Sequence, residues 1–580
     1  MVSNNFSIKN KILCITLLIL IFVILIKLSL HFSIDKIGHD YSALIPALFE
    51  YKYFRLNNSI LSVFLYSPTL CGVIPAFANP NNAFYAFYNL FVYINNFIIF
   101  QISIYLFCTL IAFYYNYKLL RFFNFTVFVS FFSSLIFSFS EFFYIKILVG
   151  HLKYTYFAFF PIIIYYFFVS KSIFDLRIII SIILTSSIIY GGSADLIPFL
   201  YYSLILTLAL SKVLNIHIDN KLFLCKFLIY IIFSIGISLF KIVPSYLFLS
   251  NFERSEYAIK NVTDNVFLFL SNFFTNSFLP FTQKLDTILS ETSSLGTWEV
   301  SFGLGLAGFL LFFLALLRIN INIKIKANIL FLLLIVIFPF VFFVKNPIYD
   351  ILIGLFPFNF YTHYQRYIYS YFPLIIFIYA IGFKSISKFK SKKLISIIYI
   401  VLALFFIFDK LYIPPWQSRS ELFWDKNISK EIVRLSEIDY PKNYFFINEQ
   451  KFEKNYNLKN TGIFSNACIL NCYESIFGYN NEKLSLIKLK TGQINLLSDS
   501  HYNAFKPDCF LKFNSYNCKP GDLYSKDDFS ELNSIQGYIS LSIIDKPYYF
   551  FSFLISIFLL ILLLIFYIYE KKHFNSNSRF

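Results

Sequence analysis

Apolar runs long enough to cross a bilayer recur along almost the whole chain, and charged links part them. A bilayer core takes about 20 apolar residues per helix. Such runs lie at Ile12–His31, Leu90–Tyr115, Phe125–Phe139, Tyr156–Val169, Ile178–Tyr190 and Leu196–Leu210. Others lie at Phe223–Leu249, Ser301–Leu317, Ile329–Val344, Tyr367–Phe383, Leu394–Phe408 and Tyr548–Tyr569. The pattern predicts an α-helical polytopic membrane protein with about 12 transmembrane helices. Composition agrees, since 58% of the 580 residues are hydrophobic and 14% charged, against about 25% charged in a soluble chain. The excess of Phe and Ile beside Asn and Lys has the form of an AT-rich coding bias and carries no functional weight.

The net charge of +17 does not indicate nucleic acid, because Lys and Arg gather in the links. One set of links is short and basic: Lys118 with Arg121, Lys171 with Arg177, Lys212 with Lys221, Arg318 with Lys326, Lys384–Lys393 and Glu570–His573. By the positive-inside rule these links and both termini are cytoplasmic. The alternate links face outward: Ser33–Phe87, Glu141–Tyr154, Gly191–Asp195, Asn251–Glu299, Lys345–Arg366 and Lys410–Pro547. Basic "SIKNK" precedes the first run and no small-residue cleavage pattern follows it, so it reads as an anchor. Three regions result: 1–409, a multi-spanning domain with a long first outward loop (33–87); 410–546, an outward soluble domain; and 547–580, a last helix with a cytoplasmic tail. The two halves show no repeat, which argues against an inverted-repeat transporter.

The first outward loop carries Asp35, Lys36, His39 and Asp40 near its start. After them Tyr41, Leu44, Ile45, Leu48, Phe49 and Tyr53 recur at helical spacing, as in a helix lying in the membrane interface. Asp40 has two readings, a helix N-cap or a catalytic carboxylate at the membrane surface. Pro68, Gly72, Pro75 and Pro80 then make a run of turns, either a lid or a packed structural element. Further polar groups fall on the same side: Glu141, Lys146, His151, Lys153, Asp195, Lys241, Arg254, Glu299, His363 and Arg366. An ionisable group in or beside a span usually faces a cavity or a partner.

No zinc-type His/Cys spacing, phosphate-binding Gly-rich loop or nucleophile elbow occurs. "GLGLAG" (Gly303–Gly308) lies inside an apolar run and reads as helix packing. The soluble domain is predicted as α+β or β-rich, with strands in "NYFFINEQ", "LSLIKLK", "GQINLL" and "YISLSIID". Its Cys468, Cys472, Cys509 and Cys518 suggest two disulfides in an outward domain. Local pairing within each couple is favoured, and a metal site is the rival.

The order of one span, an acidic outward loop with interfacial helix, many spans and an outward domain resembles the GT-C superfamily of membrane glycosyltransferases. More narrowly, "GHDYSALIP", "SPTLCGVIPAFANP", "YGGSADLIP", "FKIVP", "NFERSEY", "GTWEVSFGLGLAG" and "DCFLKFNSYNCKPGD" are similar to the YfhO-like bacterial membrane proteins. The resemblance implies sugar transfer from a polyprenyl-phosphate donor to a glycan, lipid or protein acceptor, outside the inner (plasma) membrane. It implies an acidic residue of the first outward loop as base or metal-binding group, matched by Asp40 with Asp35 second, and His39 beside Asp40 orienting or binding metal. The family's paired acid is absent, since Tyr41 follows Asp40. Lys153, His151, Asp195, Lys241, Arg254, Glu299, His363 and Arg366 are the candidates to meet the substrate or its phosphate. No cofactor is firmly implied; a divalent metal is an option. The alternatives are a lipid or polysaccharide transporter or flippase, and a non-enzymatic envelope assembly factor.

Overall fold

A computed structural model describes most residues between 37 and 96 and, almost without interruption, 96–249. It also describes 303–316, 364–386, 391–411 and 547–577, the short segments 445–447 and 467–469, and a few isolated positions. Twelve α-helices carry these segments. They are α1 (Phe97–Phe122), α2 (Val127–Ser138), α3 (Glu141–Val149), α4 (Phe160–Val169), α5 (Leu176–Tyr190) and α6 (Ile197–Val213). They continue as α7 (Asn220–Ile237), α8 (Leu239–Leu249), α9 (Gly305–Leu316), α10 (Phe372–Ile386), α11 (Lys392–Leu411) and α12 (Pro547–Asn577). Among the described residues, seven helical stretches are long and apolar enough to cross a membrane, and three shorter apolar helices accompany them. The protein is an α-helical membrane protein.

The caps follow from local chemistry. Asn96, Thr126, Asp175 and Asp219 each accept a backbone N–H of the helix they precede, as short polar side chains do at N-caps. One run read as a single span is broken, and one expected link is helical. Phe223–Leu249 divides at Ser238 into α7 and α8. Ser556 of α12 fits that break: its hydroxyl donates to the Gly236 carbonyl and accepts the Phe240 N–H. Glu141–Tyr154, expected as a link, is instead helix α3 running on from α2, then a 3-10 turn at Leu152–Phe159. Glu141 and Lys146 are accordingly buried, 4% and 1% exposed.

Among the described residues, Tyr41, Leu44, Ile45 and Leu48 keep the expected helical spacing, while Phe49 and Tyr53 lie outside them. The apolar face of this segment turns on the protein: Tyr41, Ile45, Leu48 and Tyr51 are buried. Tyr41 meets Phe97 edge-on at 4.8 Å and Tyr51 meets Phe84 at 5.5 Å. Edge-to-face aromatic pairs add to area burial, which draws this face inward. Two short strands, β1 (Tyr66–Ser67) and β2 (Ile74–Pro75), pair antiparallel. The following turns are packed: Ala76 and Phe77 are 1% exposed. Asn79 and Asn82 side chains accept the N–H groups of Asn81 and Phe84, so the loop satisfies its own backbone. Farther on, β3 (Phe445–Ile447) pairs in parallel with β4 (Ala467–Ile469). β3 falls within the strand expected at "NYFFINEQ". The other strands expected in 410–546 lie outside the described residues.

α9 and α10 pack closely through glycine. Gly308 lies against the Tyr379 hydroxyl, and a Cβ on Gly382 would overlap the Leu311 carbonyl. Small residues let membrane helices approach. Within "GLGLAG" Gly308 packs as expected, while Gly303 and Gly305, with φ +55° and +68°, form the entry to α9. The Asp409 carboxylate of α11 accepts the Leu306 and Ala307 N–H groups at 3.0 and 3.1 Å, closing the start of α9. Gly382→Val is expected to force α9 and α10 apart and cost about 1–3 kcal/mol, as overpacking does. Thermal unfolding of purified protein in detergent would show this as a lowered midpoint.

Candidate functional site

The site begins at a helix end. Gly150 has φ +103°, a backbone conformation that glycine adopts readily. Its N–H donates to the Ile147 carbonyl at 3.2 Å, and the His151 N–H donates to the Lys146 carbonyl at 2.8 Å. These two bonds form a Schellman motif, which satisfies the last carbonyls of α3 and turns the chain sharply. The next residue, His151, therefore projects from a fixed corner.

The first loop is pinned to that corner on both sides of Asp40. A Cβ on Gly38 would overlap the Val149 backbone, so only glycine admits this approach. On the other side, Tyr41 is fully buried and its hydroxyl donates to the Ile147 carbonyl at 2.5 Å. Burial pushes its phenol well above the usual range, so it stays a donor. Between these anchors the Asp40 carboxylate meets His151 Nε2 in a short contact. Asp40 and His151 keep 34% and 16% of their side-chain surface exposed, so the pair can be reached from outside. The Asp40 backbone carbonyl accepts the Leu44 N–H at 3.1 Å, and its side chain reaches His151; Ser42 and Ala43, on which the capping reading rests, lie outside the described residues.

A basic and aromatic cluster adjoins the pair. The His151 ring stacks on Tyr154, with centroids 5.8 Å apart and planes 26° apart. Three cations face the Tyr154 ring: Lys146 at 4.7 Å, Lys153 at 5.5 Å and Arg366 at 5.7 Å. Lys153 also bonds Asp195 at 2.9 Å. Thus Asp40, His151, Lys153, Asp195 and Arg366, far apart in sequence, come together. Asp195 arrives on a 3-10 turn after Gly191 and Gly192. That turn is buttressed by Tyr156, whose ring fills the space above Gly191, and by the Asn81 and Asn82 backbone against Gly192.

Lys241 is placed differently from the other candidates. Its ammonium donates to the Phe77 and Asn79 carbonyls at 2.5 and 2.8 Å and lies 5.0 Å from the Phe77 ring. In that position it ties α8 to the loop carrying Asn81 and Asn82. His39, Arg254, Glu299 and His363 lie outside the described residues, as do Cys472, Cys509 and Cys518; Cys468 is placed only as backbone of β4. The expected disulfides and any role for those four candidates are therefore not described. Lys146 stands among the outward polar groups of the sequence but not among the substrate candidates, and the sequence reading does not include Tyr154 or the corner at Gly150. The signal for them was present in "KILVGHLKY", where a glycine that stops a helix stands next to a histidine.

Asp40 and His151 offer two donor atoms to a metal. Among the described residues no group of three or more His, Cys, Asp or Glu gathers, so these residues do not make a complete metal site. What the cluster supplies is a carboxylate that can accept a proton, an imidazole that holds it, and cations that favour an anion alongside.

A double-mutant cycle of Asp40→Asn and His151→Gln is expected to return a coupling of about 0.5–3 kcal/mol, as for residues in direct contact. Thermal or denaturant unfolding in detergent would measure it. Lys241→Met is expected to destabilise by about 1–3 kcal/mol, because two buried carbonyls lose their donor. The same unfolding measurement, with proteolysis of the 76–86 loop as a local readout, checks it. Comparison of the chain with protein-family models, curated proteins and solved structures found no match.

Proposed function

We propose that the protein is a GT-C-type membrane glycosyltransferase that moves a sugar from a polyprenyl-phosphate donor to an envelope glycan, lipid or protein. The observation that carries this is the Asp40–His151 pair standing beside the cations around Tyr154. A glycosyl transfer from a lipid phosphate needs both halves. The Asp40 carboxylate takes the proton of the acceptor hydroxyl as its oxygen attacks the anomeric carbon. The bond from that carbon to the phosphate oxygen breaks, and the polyprenyl phosphate leaves with the electron pair. Cations near that oxygen stabilise the growing negative charge. His151 orients the carboxylate by donating to it, which keeps the base in one position. Arg366 suits the phosphate by its forked donors.

In this proposal the chain has about twelve spans, with termini and basic links in the cytoplasm. Asp40 and residues 410–546 stand on the outer side of the plasma membrane. The helical segment between 41 and 55, its apolar face packed on the protein, stands beside the place where the lipid-borne sugar arrives, and residues 410–546 meet the acceptor.

The test uses cells that lack the native protein and express wild type or Asp40→Asn at matched membrane abundance. Lipid-linked sugars and envelope glycans are profiled by mass spectrometry. The expected outcome is that wild type consumes one lipid-linked sugar and completes one glycan, while Asp40→Asn leaves both unfinished. Equal profiles for the two forms would overturn the assignment of Asp40 as the base.

A further inference from the structure

The ring of Tyr154 is fully buried, and the cations that face it come from its own turn, from the helix just before it and from one distant turn. Lys146 comes from the last turn of α3, Lys153 from the 3-10 turn that follows, and Arg366 from a 3-10 turn at Tyr364–Tyr371. Like charges gathered in a partly dry pocket repel one another; Asp195 offsets this at Lys153, and the ring is a partner common to all three cations. An aromatic face attracts a cation through its quadrupole. The ring cannot swing away: Tyr369 meets it at 5.6 Å and 67°, and Phe157 lies nearly parallel to it at 6.3 Å. Lys146 is also 5.1 Å from the Tyr369 ring, so its ammonium lies near two faces. The same Tyr154 ring stacks against the imidazole that holds Asp40.

We propose that Tyr154 is the positioning residue of this site. Its ring sets where Lys146, Lys153 and Arg366 stand relative to the Asp40–His151 pair. Tyr154 touches no reacting atom in this scheme; it acts through the cations and the imidazole. That these cations meet a phosphate rests on the function proposed above. That the ring holds them does not.

The test replaces Tyr154 with Phe, with mono-, di- and trifluorinated Phe by nonsense suppression, and with Leu. Fluorine drains the ring face while leaving its shape nearly unchanged. Two quantities are read on purified protein in detergent: the thermal midpoint, and the affinity for farnesyl phosphate by calorimetry. Tyr154→Phe is expected to bind within about twofold of wild type, and the trifluoro form about tenfold more weakly. The midpoint should fall in the same order, and that gradient should shrink in a Lys146→Met background. A series that is flat in midpoint and affinity, with loss confined to Tyr154→Leu, would make the ring simple packing and overturn the proposal. If wild type itself fails to bind farnesyl phosphate, the donor assignment falls. The fluorine gradient in the midpoint then decides alone: graded supports Tyr154 as the holder of the cations, flat overturns it.

Discussion

A polar group removed from water must find its partner inside the protein, and the charged groups of this structure are arranged around that demand. Leaving a buried hydrogen-bonding group unpaired costs about 1–3 kcal/mol, and more when it is charged. Lys226 answers by donating to the Phe167 and Ser170 carbonyls at the end of α4. Asp409 answers by closing the start of α9. Lys241 answers by holding the loop after β2. Each charge that looks isolated within an apolar run thus ties together helices or loops distant in sequence. An intramembrane charge is a fair functional candidate, but these three have partners that give them a structural place.

The Asp40–His151 cluster obeys the same demand with a different outcome. Its charges are held by aromatic faces and by one another, and two of them stay within reach of a molecule arriving from outside. Glycine makes that possible. Gly38 lets the first loop lie against Val149, and Gly150 turns the chain so that His151 faces the loop. The loop after β2 then buttresses Gly192, three residues before Asp195. Tyr41, Tyr154 and Tyr156 fill the spaces between these backbones, each through a ring contact or a hydrogen bond. The aromatic richness of the chain, whatever its origin in coding bias, is used here as structure.

Local pattern was enough for much of this. The run lengths marked the membrane helices, and the spacing of Tyr41, Leu44, Ile45 and Leu48 marked a helical segment with one apolar face. The position of Gly303–Gly308 inside an apolar run marked helix packing. Where local pattern misled, the cause was a contact from far along the chain. Glu141 and Lys146 read as a link because charges usually mark one, yet the Glu141 N–H bonds the Gly303 carbonyl and Lys146 lies over Tyr154 and Tyr369. Ser238 broke a run that is continuous by hydropathy, because Ser556 supplies the missing partner from α12.

The sequence by itself determined that the chain is a helical membrane protein, since hydropathy and spacing are properties of neighbouring residues. It also marked the ionisable groups of the outward links as candidates. Only the tertiary structure decided which of them meet. Asp40 reaches His151, Lys153 reaches Asp195, and Lys146, Lys153 and Arg366 share one ring, while Lys241 turns to two carbonyls. The physical reason is that a charge in an apolar surrounding takes whichever partner the fold brings within hydrogen-bonding or ring-contact distance, and that distance is set by packing between segments that no local pattern relates.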